Sequence, residues 1–247
     1  MADKMRLDKF LFETGQMPSR SAAQEAIAAG KVLVNGKVVS KASEKVSDAD
    51  VIEAEQAHPY VSRAALKLKA GLEAFPVLFA GKTCLDVGSS TGGFTEVLLE
   101  AGAAHVTAVD VGRDQFHERL RGHEKITLLE QTDARTLSQD MFSASPGLIV
   151  CDASFIGLEK VLWPALSLAA EAADLIALFK PQFQVGKKNI GKGGIVTDQD
   201  AVGIARSEFE AWLVSVGWQP RDWRPSPVTG SDGNQEYLVW ATRNRIP

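Results

Sequence analysis

LDVGSSTGGFT, residues 85–95, decides the architecture of this 247-residue chain. The apolar run TCLDV ahead of it reads as a strand, and the residues from Gly93 onward read as a helix, so the glycines occupy a strand-to-helix turn. Gly88, Gly92 and Gly93 let the backbone turn sharply and pass close to a ligand, because side chains there would block the approach. The spacing is G-x-x-x-G-G. It is neither the dinucleotide fingerprint G-x-G-x-x-G nor a phosphate loop ending in Gly-Lys-Ser/Thr. Asp86, just before the first glycine, would repel a pyrophosphate and suits a ligand carrying an amine.

Working outward, HVTAVDV, KITLLEQTDA, GLIVCDAS and DLIALFKPQF are apolar runs at spacings that admit helices between them, and a helix is expected over residues 62–74. Such alternation predicts an α/β domain with a mainly parallel, doubly wound, Rossmann-like sheet. QEYLVWAT is a further strand, preceded by the loop PSPVTGSDGN. Asp110, 24 residues after Asp86, ends the next strand, where a carboxylate accepts hydrogen bonds from both hydroxyls of a ribose. Asp133 in QTDAR is expected to end the third strand and to receive the amino group of an adenine. Three aspartates after three successive strands point to a nucleoside site.

The first residues read differently. Leu7, Phe10 and Leu11 recur at helical spacing. After a break over 15–19, a second helix is expected over 20–29, capped by Ser19 or Ser21 and closed by Gly30. KVLVNGKVV places Asn35-Gly36 between two β-rich runs, the mark of a two-residue hairpin turn, and a third strand is expected over 50–54. EAEQAHP, residues 53–59, is a candidate linker. The expected organisation is a small α+β domain over 1–56, a linker over 57–60 and the larger domain over 61–247.

Composition bounds the rest. With 45% hydrophobic and 23% charged residues the chain can bury a sizeable core. No apolar run approaches the roughly 18 residues a membrane span needs, and the N-terminus is charged, so a cytoplasmic protein with no membrane partner is expected. Cys84 and Cys151 lie in apolar runs and suit buried strands rather than a disulfide. His58, His105, His117 and His123 show no ligand spacing and read as surface or loop residues, so no metal is expected. The net charge of −4 argues against indiscriminate binding of polyanions.

The glycine segment resembles the S-adenosylmethionine motif of class I methyltransferases, and within them the ribosomal-RNA 2′-O-methyltransferases of the FtsJ/RrmJ type. The whole chain resembles more closely the TlyA family, often labelled hemolysin A. That family joins an RNA-binding domain, named after ribosomal protein S-four, to an FtsJ-like methyltransferase. RLDKFL, SRSAAQEAIAAGKVLVNG, YVSRAALKL, DVGSSTGGFT, CDASFI and LFKPQF carry the likeness over nearly the full length.

The resemblance implies S-adenosylmethionine as cofactor, held by Asp86, Gly88, Ser89, Gly92, Gly93, Phe94, Asp110, Asp133 and Asp152. It implies methylation of a nucleotide 2′-hydroxyl, that of a cytidine, in ribosomal RNA or ribosomal subunits. The family's Lys-Asp-Lys-Glu tetrad matches Lys67, Asp152, Lys180 and Glu236, with Lys180 as proton acceptor and the other three orienting it and balancing charge. Taken from the residues alone, Lys180 and Asp152 end apolar strands at the edge where doubly wound sheets bind ligands. Lys67, two positions from Lys69, reads as a solvated helix lysine, and Glu236 is undecided. Phe155 either stacks on a base or packs in the core, and the core is expected.

RNA contacts are expected from Lys187, Lys188 and Lys192 in VGKKNIGKGGIV, the alternative being a basic loop without a partner. Arg6, Lys9, Arg20 and Lys31 match basic positions of the S-four-type domain. Residues 1–50 hold eight Lys/Arg against seven Asp/Glu, a net of +1, so RNA binding there must come from placement rather than surplus charge. A protein-interaction role for that domain is the alternative. For the whole chain, a noncatalytic assembly factor has no need of the tetrad, and a membrane-damaging hemolysin needs an amphipathic or spanning element that the sequence lacks.

Overall fold

The computed structural model describes residues 4–243, which divide at Pro59/Tyr60 into two units, each described on its own. In the first, β1 (Met5–Arg6) leads into α1 (Leu7–Glu13) and then α2 (Arg20–Ala28). Ser19 caps α2 by accepting from the Ala22 N–H at 3.1 Å, and Gly30 closes it at φ 70°. β2 (Val32–Val34) and β3 (Lys37–Val38) meet at Asn35-Gly36, both at positive φ (52° and 76°), the backbone that a two-residue hairpin of the primed type requires. β4 (Lys45–Val46) pairs with β1, and β5 (Ile52–Ala54) pairs with β2. The β1–β4 ribbon was not expected, since two residues per strand carry no alternation to read. Leu7, Phe10, Leu11, Met17, Ala23, Ile27, Val32 and Val46 form the buried centre of this unit.

The second unit runs α3 (Ala64–Ala74), β6 (Thr83–Val87), α4 (Gly93–Glu100), β7 (His105–Val109), β8 (Ile126–Leu129), β9 (Leu148–Cys151), α5 (Leu158–Leu168), β10 (Asp174–Phe179), α6 (Gln199–Ser215), β11 (Trp218–Pro225) and β12 (Tyr237–Arg243). Its sheet has the order β11-β12-β10-β9-β6-β7-β8. β8, β7, β6, β9 and β10 are parallel, and β12 and β11 add an antiparallel edge. From β6 the chain winds outward through β7 and β8, then returns to β9 and winds the other way. The strand order therefore reverses between β6 and β9, and the crevice at their carboxyl ends is where an open α/β sheet binds ligands.

β11 was not expected, because WQPRDWRP carries two prolines and little apolar pattern. It lies at the sheet edge, with a neighbour on one side only, and its register shifts between Pro220 and Asp222, the setting in which strands tolerate proline. His105 lies in β7 rather than in a loop, its ring 2.8 Å from Thr127 Oγ1. Cys84 and Cys151 are buried in β6 and β9, where burial pushes both thiols up to about 12. Among the described residues no helix is long and apolar enough to cross a membrane.

One face of the sheet is covered by α5 and α6, and the other by α3 and α4. α3 and α4 approach closely because Gly93 has no side chain: a Cβ there would lie 2.4 Å from Ser62 Oγ and 3.1 Å from the Ala65 nitrogen. On the opposite face Phe209 of α6 is fully buried, with its ring 5.6 Å from Trp212, 6.1 Å from Phe179 and 6.3 Å from Trp223. Phe209→Ala would leave a cavity under the β10 strand end and is expected to destabilise this unit by about 3–5 kcal/mol. All five tryptophans lie in it, so urea unfolding followed by their fluorescence measures the effect without interference from the first unit.

Candidate active site

The turn after β6 is fastened to the end of β7. The Gly88 and Ser89 N–H groups donate to the Val109 carbonyl at 2.9 and 3.1 Å. Asp110 Oδ2 accepts from the Ser90 N–H at 2.8 Å, and its Oδ1 from the Gly112 N–H at 2.7 Å. Both oxygens keep lone pairs for ligand hydroxyls while the carboxylate is held in place. Gly88, at φ 81°, lets the loop pass the β9 end, since a Cβ would lie 3.0 Å from the Ala153 nitrogen. Gly92 and Gly93 also satisfy packing: a Cβ on Gly92 would meet Leu120 at 2.7 Å and Phe116 at 2.8 Å. Phe94 belongs to the core between α4 and the sheet, and Ser89 is buried.

Asp86 is fully buried. Thr95 Oγ1 donates to its Oδ2 at 2.7 Å, while Oδ1 has no protein partner. Burial, opposed by the Thr95 bond and reinforced by the charges of Asp152 and Asp110, pushes this carboxyl up to about 7. An orphaned carboxylate oxygen beneath the crevice is a feature that a cationic ligand group would satisfy.

Four charged side chains from four elements meet beside this loop. Lys67 Nζ of α3 donates to Glu236 Oε2, just before β12, at 2.6 Å and lies 4.0 Å from Asp152 Oδ2. Lys180 Nζ, just after β10, lies 2.6 Å from Asp152 Oδ1, just after β9, and donates to Ser154 Oγ at 2.7 Å. Lys67 and Lys180 are each 6% exposed and Glu236 is 2% exposed. Lys67 is thus not a solvated lysine. Lys69, two positions and about 200° around the helix, is the outward one, bonded to Tyr60 at 3.4 Å. The chain Lys180–Asp152–Lys67–Glu236 alternates in sign, so each buried charge has a counter-charge.

An open cleft of about 440 Å³ lies at the carboxyl edge, lined among others by Gly88, Ser90, Asp110, Gln115, Asp133 and Asp152. Asp133 does not end the third strand: β8 stops at Leu129, and Asp133 caps the short turn Ala134–Thr136. Its carboxylate is engaged by Arg135, Nη2 to Oδ2 at 2.6 Å, which holds it below the usual carboxylate range. Phe155 is not in the core. It is 90% exposed at φ 66°, on the cleft rim, with its ring 5.2 Å from that of Phe183. Sequence reasoning missed Ser90, Gln115, Arg135 and Ser154. Only Ser154, two residues after the aspartate of CDAS, had a signal that adjacency to the tetrad would have flagged.

The lysines at 187, 188 and 192 are exposed. Their loop is tied to the segment carrying Glu236 by Asn234, whose Nδ2 donates to the Gly194 carbonyl and whose Oδ1 accepts from the Val196 N–H, both at 2.9 Å. In the first unit, Asp8 is fully buried and gathers Arg6 (2.9 and 3.0 Å), Arg20 (2.9 Å) and Gln24 (2.7 Å), and the Arg6 bond holds its carboxyl far below the usual range. Arg6 and Arg20 stay about half exposed and side by side. Lys9 pairs with Glu13 at 3.3 Å and Lys31 with Glu55 at 3.4 Å, both exposed pairs that contribute little.

Comparison with known proteins matches residues 60–243 to the family described as FtsJ-like methyltransferase and residues 5–52 to the S4 domain. The chain is 42% identical to the 16S/23S rRNA (cytidine-2′-O)-methyltransferase TlyA of Mycobacterium tuberculosis, covering 97% of this chain and 90% of that one. It is 40% identical to the 23S rRNA (cytidine-2′-O)-methyltransferase TlyA of Campylobacter jejuni, covering 97% and 100%. A solved structure described as a hemolysin from Streptococcus thermophilus superposes with a TM-score of 0.78 at 31% identity, covering 100% of this chain and 91% of that one.

The state of Asp86 has a measurable consequence. A carboxyl raised to about 7 in the folded protein keeps its proton where the unfolded chain, at about 4, has lost it, so folding stability falls as pH rises through that window. Asp86→Asn removes this dependence. In urea unfolding followed by tryptophan fluorescence, the wild type is expected to lose roughly a few kcal/mol relative to Asp86→Asn between those limits. Parallel pH curves would show that Asp86 is ionised throughout.

Proposed function

This chain belongs to the TlyA family of rRNA 2′-O-methyltransferases, and from that premise we propose that it uses S-adenosylmethionine to methylate the 2′-hydroxyl of a cytidine in ribosomal RNA. The observation that carries this function is the buried chain Lys180–Asp152–Lys67–Glu236 beside a cleft at the switch point of the sheet. When bound, S-adenosylmethionine supplies an electrophilic methyl whose loss turns a sulfonium into a neutral thioether. The protein's task is to hold a hydroxyl in line and to remove one proton from it.

Lys180 is the proton acceptor. Asp152 fixes Lys180 through Oδ1 and faces Lys67 through Oδ2, and Glu236 holds Lys67 in place. Asp110 receives ribose hydroxyls at the cleft edge, Asp133 an adenine amino group, and the orphaned Asp86 oxygen the charge of the cofactor's amino-acid end. Gly88 shapes the floor. Ser89, Gly92, Gly93 and Phe94 contribute through the backbone and packing of the loop. Phe155, exposed on the rim, suits stacking on a base of the RNA. Lys187, Lys188 and Lys192 supply positive charge to RNA phosphates, and so do Arg6 and Arg20, which Asp8 holds together in a domain of nearly zero net charge.

Incubation with methyl-labelled S-adenosylmethionine and ribosomal subunits or naked rRNA is expected to put label on a cytidine 2′-oxygen, and rRNA that stays unlabelled in every form refutes the function. Lys180→Ala is expected to slow transfer by roughly 10²–10⁴-fold while leaving cofactor affinity nearly intact. The arginine pair is tested by binding of an rRNA fragment at several salt concentrations. Replacing Arg6 and Arg20 together by alanine should weaken binding and flatten the plot of log affinity against log salt by about 1–2 units. An unchanged slope would mean that neither arginine meets a phosphate.

A further inference from the structure

Lys180 is almost fully buried, yet one of its three neighbours faces solvent. Its Nζ lies 2.6 Å from Asp152 Oδ1, 2.7 Å from Ser154 Oγ and 3.4 Å from the Asp152 carbonyl oxygen. Ser154 is exposed and lines the cleft. A protonated amine has three N–H groups and no lone pair; here Nζ donates to Ser154 Oγ and to the Asp152 carbonyl and pairs by charge with Asp152 Oδ1. A neutral amine has two N–H groups and a lone pair, and the lone pair needs a donor. A carboxylate and a carbonyl only accept, whereas a hydroxyl also donates. Of the three groups around Lys180, Ser154 alone can serve both protonation states.

The other charged groups nearby do not offer a substitute. Asp152 already faces both lysines, and Lys67 is turned to Glu236. The Cys151 thiol, pushed up to about 12, stays neutral at working pH.

We infer that Ser154 is a positioning residue for Lys180 and the outlet for the proton that methyl transfer leaves there. The inference rests on Lys180 being the proton acceptor. Before transfer, the Ser154 hydroxyl donates to the neutral amine and holds its lone pair in one direction until the substrate hydroxyl replaces it. During transfer, the proton of the 2′-hydroxyl passes to Nζ. Afterwards Nζ gives one proton to Ser154 Oγ as the serine's own proton leaves to water in the cleft, so the sum is one proton moved from substrate to solvent. The buried lysine is thereby reset to the neutral amine without leaving its place beside Asp152 and Ser154.

The test compares wild type, Lys180→Ala, Ser154→Ala and Ser154→Thr on rRNA at saturating cofactor, with the rate measured from neutral to alkaline pH and cofactor affinity measured separately by calorimetry. Ser154→Ala is expected to be roughly 10–100-fold slower near neutrality and to recover at alkaline pH, so its acid limb is displaced upward. Ser154→Thr should restore the wild-type profile, and cofactor affinity should be the same in all four. A wild-type profile in Ser154→Ala overturns the inference. So does a loss that is equal at every pH, a rise in KM for RNA at unchanged kcat, or a failure of threonine to rescue. An inactive Lys180→Ala beside such a result leaves the acceptor role of Lys180 standing, whereas a fully active Lys180→Ala removes that role and the outlet with it.

Discussion

Lys180, Asp152, Lys67 and Glu236 alternate in sign through a region nearly closed to water, and no one of them is tenable there without its neighbour. An isolated buried ion costs several kcal/mol even after relaxation, so the chain of contacts at 2.6–4.0 Å is a condition for burying any of them. The four residues come from α3 and from the ends of β9, β10 and β12, which makes the constellation a constraint on the whole sheet. β12 must insert antiparallel beside β10 to carry Glu236 to the carboxyl edge. α3 must lie close enough over the sheet for Lys67 to reach the carboxyl edge, and Gly93 permits its close packing on α4.

The glycine turn after β6 is held by a different set of groups. Backbone N–H groups fix Asp110, a single hydroxyl fixes Asp86, and each carboxylate is left with unused accepting capacity facing the switch point. Asp86 sits between these two halves. Burial raises its carboxyl, the Thr95 bond opposes that, and the negative charges of Asp152 on one side and Asp110 on the other add to it.

The smaller unit places its charges unevenly although their sum is almost zero. Asp8 is buried so that its two oxygens can draw together Arg6, Arg20 and Gln24, and the guanidiniums keep their outer edges in solvent. Two arginines aligned by one hidden carboxylate present a local positive site that a count of charges over residues 1–50 conceals.

Parallel alternation, the glycine turn, the Asn35-Gly36 hairpin and the strand-end positions of Asp110, Asp152 and Lys180 were legible in the sequence, because each depends on local periodicity or on a backbone only certain residues adopt. β11 was not legible, since its prolines are tolerated only because it is an edge, and being an edge is a property of the sheet. Phe155 looked like a core residue by composition. The chain turns at positive φ after β9 and presents it outward. Lys67 and Lys69 are indistinguishable by type, and only the packing face of α3 buries one and exposes the other. Ser154 meets Lys180, and Asp8 meets Arg20 and Gln24, only through what folding brings near them. By itself, then, the sequence determined the architecture, the turn and the candidate chemistry. The tertiary structure alone decided which charges lie within hydrogen-bond reach and out of water, because burial and distance between residues as far apart as Lys67 and Glu236 are set by packing and leave no local pattern.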